Sequence, residues 1–236
     1  MNDIKICGLQ KTTLLDYPGH MAATIFLGGC NFRCPFCHNS DLLGNDAQAQ
    51  YTQEELLQFL TKRRRLLEGV CITGGEPTLQ PSALEALIRD IRVLGLLVKL
   101  DTNGTRPDVL RHLIEEGLLD YVAMDIKSGP AGYAFTAGAP GFDLSSVQES
   151  MRILKNSFVP YEFRTTAVKG IHTKKDFEQI GPWISGCPNY YLQNYAASER
   201  VLKPDGFDSF SKEELLQFAD IVRPFVGKVD LRGIDY

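Results

Sequence analysis

Cys30, Cys34 and Cys37 stand close together in "GGCNFRCPFCHN" (28–39), with no fourth cysteine beside them. A structural zinc or an ordinary iron–sulfur cluster takes four protein ligands. Three ligands leave one coordination position free for chemistry.

Four readings of the three cysteines compete. "CPFCH" (34–38) has the c-type haem attachment pattern, but such attachment belongs to exported proteins and leaves Cys30 idle. "CPFC" has the form of a glutaredoxin-type redox pair, again with Cys30 surplus. Cys30, Cys34, Cys37 and His38 compose a Cys3His zinc set, although residues adjacent in a chain seldom ligate one ion with good geometry. A [4Fe–4S] cluster with one open iron uses all three cysteines. The spacing lets one loop wrap three corners of a cube, and Gly28 and Gly29 let the backbone turn as it leaves a strand.

The remaining cysteines, Cys7, Cys71 and Cys187, are isolated in the sequence and read as buried small hydrophobes. The N-terminal "MNDIKICGLQKTT" has no apolar h-region, and no run is long enough to span a membrane. The expected compartment is therefore the cytoplasm, where thiols stay reduced. At 236 residues and 44% hydrophobic, the chain is expected to form one domain over 1–236, with an N-terminal extension over about 1–20 and a barrel over about 21–236. A net charge of −4 gives no sign of a nucleic-acid or membrane surface. "KRRR" (62–65) reads as the solvated end of a helix, with a docking role as the alternative.

Positioning the cysteines falls to an alternation of short apolar runs with helix-period segments. "MAATIFL" (21–27), "GVCIT" (69–73), "LLVKLDT" (96–102), "YVAMDI" (121–126), "YEFRTTAV" (161–168) and "YYLQNY" (190–195) read as strands. Helices are predicted at "TQEELLQFLTKRRRLL" (52–67), "PSALEALIRDIRVLG" (81–95), "PDVLRHLIEEG", "SSVQESMRILKN", "KKDFEQIGPWI" and "SKEELLQFADIVRPFV". Thr52 with Glu55 forms a capping box. "SGPAGYAFTAGAPGFD" (128–143) reads as a long surface loop. The alternation predicts an α/β fold with a parallel sheet. Six repeats are too few for a closed eight-fold barrel, so the expectation is an incomplete, laterally open (β/α)6 TIM-like barrel, with a doubly wound sheet as runner-up. Chemistry in such folds gathers at the carboxyl ends of the strands. Those ends carry the cysteines, "TGGEP" (73–77), "DTNG" (101–104), "MDIKS" (124–128), Arg164-Thr165-Thr166 and Gln193-Asn194.

With C-x3-C-x2-C followed by GGEP, the sequence resembles the radical S-adenosylmethionine (SAM) superfamily. "CNFRCPFCHN", "GGEP", "DTNG" and "DIK" resemble the activating enzymes of glycyl-radical proteins. "GLQKTTLLDYPGHMAATIFLGGCNFRCPFCHNSDLL" and "YEFRTTAVKGIHT" are similar, more narrowly, to anaerobic ribonucleoside-triphosphate reductase activating proteins. The resemblance runs from Gly8 to about Tyr195; beyond it "VDLRGIDY" is a candidate terminal strand.

The resemblance implies a [4Fe–4S] cluster on Cys30, Cys34 and Cys37, and S-adenosyl-L-methionine chelated at the fourth iron. It implies Phe36 near the adenine, the alternative being a hydrophobe that shields the cluster. Gly74, Gly75 and Glu76 would line the methionine ammonium. Arg164 would pair with the methionine carboxylate, against the alternative of a structural ion pair. Asn103 and Gln193 are candidates for the carboxylate, ribose or adenine. Lys127 is a candidate for cofactor or substrate contact, and His38 for orienting the cluster loop. Asp101 and Asp125, with Thr102, would support a monovalent cation, the alternative being hydrogen bonds to loop amides. His20, His112 and His172 read as solvated or satisfied.

The implied reaction begins with an electron from a flavodoxin- or ferredoxin-type donor. That electron cleaves the cofactor to methionine and a 5′-deoxyadenosyl radical, which takes hydrogen from a glycine of a partner protein. Anaerobic ribonucleotide reductase is the expected partner. A pyruvate formate-lyase-like partner, a small substrate, or a non-catalytic iron–sulfur module are the alternatives.

Overall fold

The computed structural model describes residues 4–44, 47–198, 201–203 and 206–234. Eight strands form one sheet in chain order: β1 (Ile6–Thr13), β2 (Ala22–Leu27), β3 (Gly69–Gly74), β4 (Leu97–Thr102), β5 (Tyr121–Asp125), β6 (Tyr161–Ala167), β7 (Asn189–Asn194) and β8 (Lys228–Arg232). β1 pairs antiparallel with β2, and every later pairing is parallel. β1 and β8 are the two edge strands and do not pair with each other, so the sheet is not closed; at Ile6 the outer side of β1 is bridged by Tyr51.

The helices are α1 (Gln53–Arg63), α2 (Pro81–Val93), α3 (Pro107–Glu115), α4 (Tyr133–Thr136), α5 (Ser145–Lys155), α6 (Lys174–Trp183) and α7 (Lys212–Val222). Six strand–helix units thus run from β2 to α7, and β8 follows them. The "VDLRGIDY" candidate is β8, with Asp235 and Tyr236 outside the described residues.

Local chemistry explains the boundaries. Thr52 and Glu55 form the capping box that opens α1, and Thr173–Asp176 and Ser211–Glu214 do the same for α6 and α7. α1 stops at Arg63, short of the predicted 67, because the chain must turn there. Leu66 and Leu67 both donate backbone N–H to the Arg63 carbonyl, Leu67 becomes core, and the Glu68 N–H bonds the Met21 carbonyl to begin the next strand. α2 turns Leu84, Leu87, Ile88 and Ile91 inward, each worth about 1.5–3 kcal/mol of burial. Among the described residues no helix is long and apolar enough to cross a membrane.

Two expectations change. The N-terminal stretch read as an extension contains β1, whose sequence "ICGLQKTT" lacks strand alternation because Gln10, Lys11 and Thr12 face solvent at the sheet edge. Residues 128–143 are not a surface loop throughout. Tyr133, Thr136 and Ala137 are buried, α4 forms there, and Tyr133 packs against Phe32 and Trp183.

Candidate active site

The carboxyl ends of the parallel strands enclose one cavity of about 910 Å³, part of it open to solvent. Cys30, Cys34, Cys37, Phe36, His38, Gly74, Gly75, Asp101, Thr102, Asn103, Asp125, Lys127, Arg164 and Gln193 all line it. Of the residues expected to hold the cluster, the cofactor or the cation, only Glu76 stands behind the wall.

The cysteine loop is held from three directions. The Gly29 N–H donates to the Leu42 carbonyl at 2.7 Å, Cys37 N–H to the Cys34 carbonyl at 3.0 Å, and Arg33 N–H to the Ala137 carbonyl at 3.0 Å. The Cys34 thiol also reaches the Ala137 carbonyl, at 3.6 Å. Residues 128–143 therefore form a backrest for the loop, a role its Gly/Ala/Pro composition hid. At Gly138 the fit leaves no room, because a Cβ would lie 2.0 Å from the Arg33 carbonyl oxygen and φ is +61°. Gly138→Ala is expected to push this backrest away and lower the iron retained after anaerobic reconstitution. Full iron content with an unchanged melting temperature would contradict that contact.

Burial raises all three thiol pKa values, that of Cys34 to about 11, with Lys127 opposing the shift. Loading the loop with metal must therefore release thiol protons. Among the described residues no three His, Cys, Asp or Glu side chains converge on a single-ion site. The donor set and the open cavity beside it fit a cluster with one exposed iron.

The glycines of "TGGE" have a backbone reason. Gly74 has φ +116°, and a Cβ on Gly75 would lie 2.1 Å from the Gly29 carbonyl oxygen. The Gly75 N–H donates to the Leu27 carbonyl and Glu76 N–H to that of Gly29. The Asn39 side chain closes the junction on the Gly74 carbonyl at 3.3 Å. The glycines thus let the loop after β3 lie flat on the cysteine loop, while both still line the cavity.

Glu76 corrects an expectation. It is fully buried and accepts from Thr78 N–H, Thr78 Oγ1, Thr102 Oγ1 and Asn103 N–H at 2.5–3.1 Å. Burial raises its pKa against these bonds. With four donors already around it, the carboxylate braces the β3 loop against the β4 loop rather than lining the cavity. Glu76→Gln turns one acceptor into a donor facing donors. A loss of about 1.5–3 kcal/mol is expected, read as a lower melting temperature of the metal-free protein.

Asp101 and Asp125 face each other as expected, but a side chain lies between them. Arg164 donates Nε to Asp125 Oδ1 at 2.9 Å and NH1 to Asp101 Oδ2 at 3.0 Å. Lys99 adds a contact to Asp101, and Lys127 bonds Asp125 at 2.9 Å. Thr102 Oγ1 donates to Glu76 and accepts from the Gly104 N–H. Where the resemblance implies a monovalent cation beside Asp101, Thr102 and Asp125, a guanidinium and two ammonium groups contact the two aspartates. Arg164, expected to pair with the methionine carboxylate, makes the ion pairs of the alternative reading and also faces the cavity. Burial alone would raise both aspartate pKa values; Arg164 with Lys99 or Lys127 outweighs it, and both are lowered. Three cations against two anions leave this row one positive charge in surplus.

Lys99 was missed, although a lysine within the apolar "LLVKLDT" carries the same signal that singled out Arg164. Asn31 was missed too. Its amide donates to Thr105 Oγ1 at 2.8 Å and accepts from Asn103 Nδ2 at 2.9 Å. His38 lies 5.3 Å from the Tyr195 ring, and burial lowers its pKa. Phe36 is buried, edge-on to His172. His172 is satisfied: Nε2 bonds the Lys127 carbonyl and Nδ1 accepts from the Val168 N–H. His112 pairs with Glu85 at 2.9 Å and His20 lies 3.5 Å from Glu68. Cys7, Cys71 and Cys187 are buried, as expected.

Comparison with known proteins supports the same chemistry. The Radical SAM superfamily model matches residues 24–181. A Methanocaldococcus jannaschii protein provisionally named a glycyl-radical enzyme activating enzyme is 30% identical over 98% of this chain and 96% of its own. The pyruvate formate-lyase-activating enzyme of Clostridium pasteurianum is 30% identical over 52% of each chain, so this protein spans about half the length of that relative. The crystal structure of Streptococcus suis SuiB bound to S-adenosylmethionine superposes with a TM-score of 0.66 at 12% identity, covering 86% of this chain and 48% of that one; at that identity it supports the fold alone. The chain belongs to the radical SAM superfamily, within the family of glycyl-radical enzyme activating enzymes, and its cofactors are those of the superfamily, a [4Fe–4S] cluster and S-adenosylmethionine.

Proposed function

We propose that this protein is a cytoplasmic activase that forms a glycyl radical on anaerobic ribonucleoside-triphosphate reductase, with electrons from a flavodoxin- or ferredoxin-type donor. The observation that carries the reading is the meeting of Cys30, Cys34 and Cys37 with Asp125, Lys127 and Arg164 around one cavity of an unclosed sheet. When bound, the cluster and cofactor supply a one-electron cleavage whose adenosyl fragment accepts a hydrogen atom.

The chain's own residues orient and insulate that step. Cys30, Cys34 and Cys37 would hold three irons. Gly74 and Gly75 would line the methionine end, and Phe36 would pack beside the adenine. Asn103 and Gln193 offer amides to the ribose or carboxylate. The surplus positive charge of the row from Lys127 to Lys99 favours a carboxylate at Arg164 and Lys127. The gap between β1 and β8 gives an extended glycine loop of a large partner a way in, and that partner then excludes water.

The choice of reductase rests on the likeness of "LDYPG" through "CHN" and of "YEFRTTAVKGIHT". A pyruvate formate-lyase-like partner is equally supported, because activators of that enzyme are among the relatives. Both partners, labelled with α-deuterated glycine, are therefore to be incubated anaerobically with the reduced holoenzyme and S-adenosylmethionine. The proposal expects monodeuterated 5′-deoxyadenosine with the reductase. Deuterium from the lyase alone would move the assignment, and unlabelled product with both would overturn a glycyl substrate.

A further inference from the structure

The "KRRR" run, read in the sequence as a solvated helix end, gathers exposed basic groups without ion pairs in one place, where, among the described residues, Lys11, Lys175 and Lys203 stand exposed and without ion pairs at separate points of the chain. Arg89 and Arg92 of α2, Arg111 of α3 and Arg152 of α5 each pair with a carboxylate. Among the described residues Lys62, Arg64 and Arg65 form no ion pair, and all three are exposed. The chain carries 25 Lys and Arg against 29 Asp and Glu. Without these three the balance is 22 against 29, a net −7, so the run is a local reversal of the overall sign.

Three exposed leucines share this end of the molecule. Arg63, over the Phe59 ring, bonds Thr12 Oγ1 at 3.4 Å and thereby ties the end of α1 to the end of β1. Immediately beyond β1 the chain presents Leu14 and Leu15, 69% and 84% exposed, and beyond the basic run Leu66 is 52% exposed. Leu15 is not a frayed residue, because its N–H and that of Asp16 are held by Thr13 Oγ1 at 3.1 and 3.2 Å. Clustered apolar side chains rimmed by uncompensated charge mark an interaction surface.

Several occupants are disfavoured by geometry. β2 rises from Ala22 at this end to Leu27 beside the cysteine loop, about 17 Å at roughly 3.3 Å per residue. An electron donor seated here would be remote from the cluster. A two-fold contact with a second copy would oppose Lys62, Arg64 and Arg65 to themselves. The patch does adjoin β1, the edge strand that borders the opening of the sheet.

We propose that Leu14, Leu15 and Leu66, with Lys62, Arg64 and Arg65, form the docking surface for the glycyl-radical partner, matching an acidic surface with an apolar centre. The inference rests on the activase reading. Anchored there, the partner runs along β1 and delivers its glycine loop through the gap. Charges at such a rim act on encounter and its salt dependence, and exposed leucines on residence.

The test uses the reconstituted holoenzyme, wild type against Arg64→Glu/Arg65→Glu and against Leu15→Ser. Radical yield is measured as a function of partner concentration, with the reductase and a pyruvate formate-lyase each as partner, at low and high salt. Cofactor cleavage with a chemical reductant and no partner is run beside it. The expected result is at least a tenfold rise in KM for the partner in the double variant, with loss of the wild type's salt dependence. A smaller rise is expected in Leu15→Ser, and unchanged partner-free cleavage in both. Wild-type KM in both variants would overturn the docking surface while leaving the activase reading intact. Absence of a radical from wild type on either partner would overturn that reading and this inference with it. Variants with wild-type KM that lose binding to phosphatidylglycerol vesicles would assign the patch to a lipid surface instead.

Discussion

Cys34→Ala protein, reconstituted anaerobically, is expected to retain less than about one iron per chain and to cleave no S-adenosylmethionine, where the wild type is brown and holds about four irons. The size of the effect follows from the ligand count. Three thiolates hold the cluster, and Cys34, the most buried of them, stands between the other two against the Ala137 carbonyl. Cys187→Ala is the matched control. Its thiol is also buried but bonds the Asn189 carbonyl, at 3.0 Å, below β7 and outside the cavity lining. The control is expected to lose about 1 kcal/mol of stability and no iron. Equal iron loss in both variants, or full iron in Cys34→Ala, would show that the ligands are misassigned.

Arg164→Ala is expected to have the largest effect on stability. Its guanidinium is the shared partner of Asp101 and Asp125, and removing one member of a buried pair costs about 3–5 kcal/mol. For a chain of this size that is a fall of roughly 6–20 °C in melting temperature of the metal-free protein. The pH dependence has a definite sign. Both aspartates titrate below their ordinary value in the folded protein. Their contribution to stability is therefore complete above about pH 4 and is lost only as pH falls through the lowered values. Without Arg164 those values rise, so acid unfolding of the variant should begin at higher pH. Cofactor affinity, measured by calorimetry on the loaded protein, should fall by about one to two decades. An Arg164→Ala protein with unchanged melting temperature, acid limb and affinity would contradict both roles.

The strands β2 to β6 were legible in the sequence because each is a short, largely apolar run between helix-period segments. β1 was not, since an edge strand with one solvent face can be as polar as "LQKTT". The backrest at 128–143 was hidden for the opposite reason. Glycine, alanine and proline suggest exposure, yet Tyr133 is large enough to bury a segment made mostly of small residues. Within the site, the residue types were readable but their pairings were not. Asp101 and Asp125 were rightly placed at neighbouring strand ends, and "KLDT" already held the lysine that contacts one of them. That Arg164 reaches both from β6 depends on the register Asp125↔Arg164 between β5 and β6, which no local pattern encodes. Glu76 shows the same limit. A carboxylate after two glycines signals an anionic group at a strand end, but the four donors that surround it come from 78, 102 and 103.

The central claim is that the protein creates a radical on a glycine of another protein. Electron paramagnetic resonance on the anaerobic ribonucleotide reductase, after anaerobic incubation with the reduced holoenzyme and S-adenosylmethionine, tests it most directly. The account predicts a glycine-centred doublet on the reductase that collapses to a singlet when its glycine is α-deuterated and is absent with the Cys34→Ala protein. Cofactor cleavage with no radical on the reductase, nor on a pyruvate formate-lyase run in parallel, would contradict it.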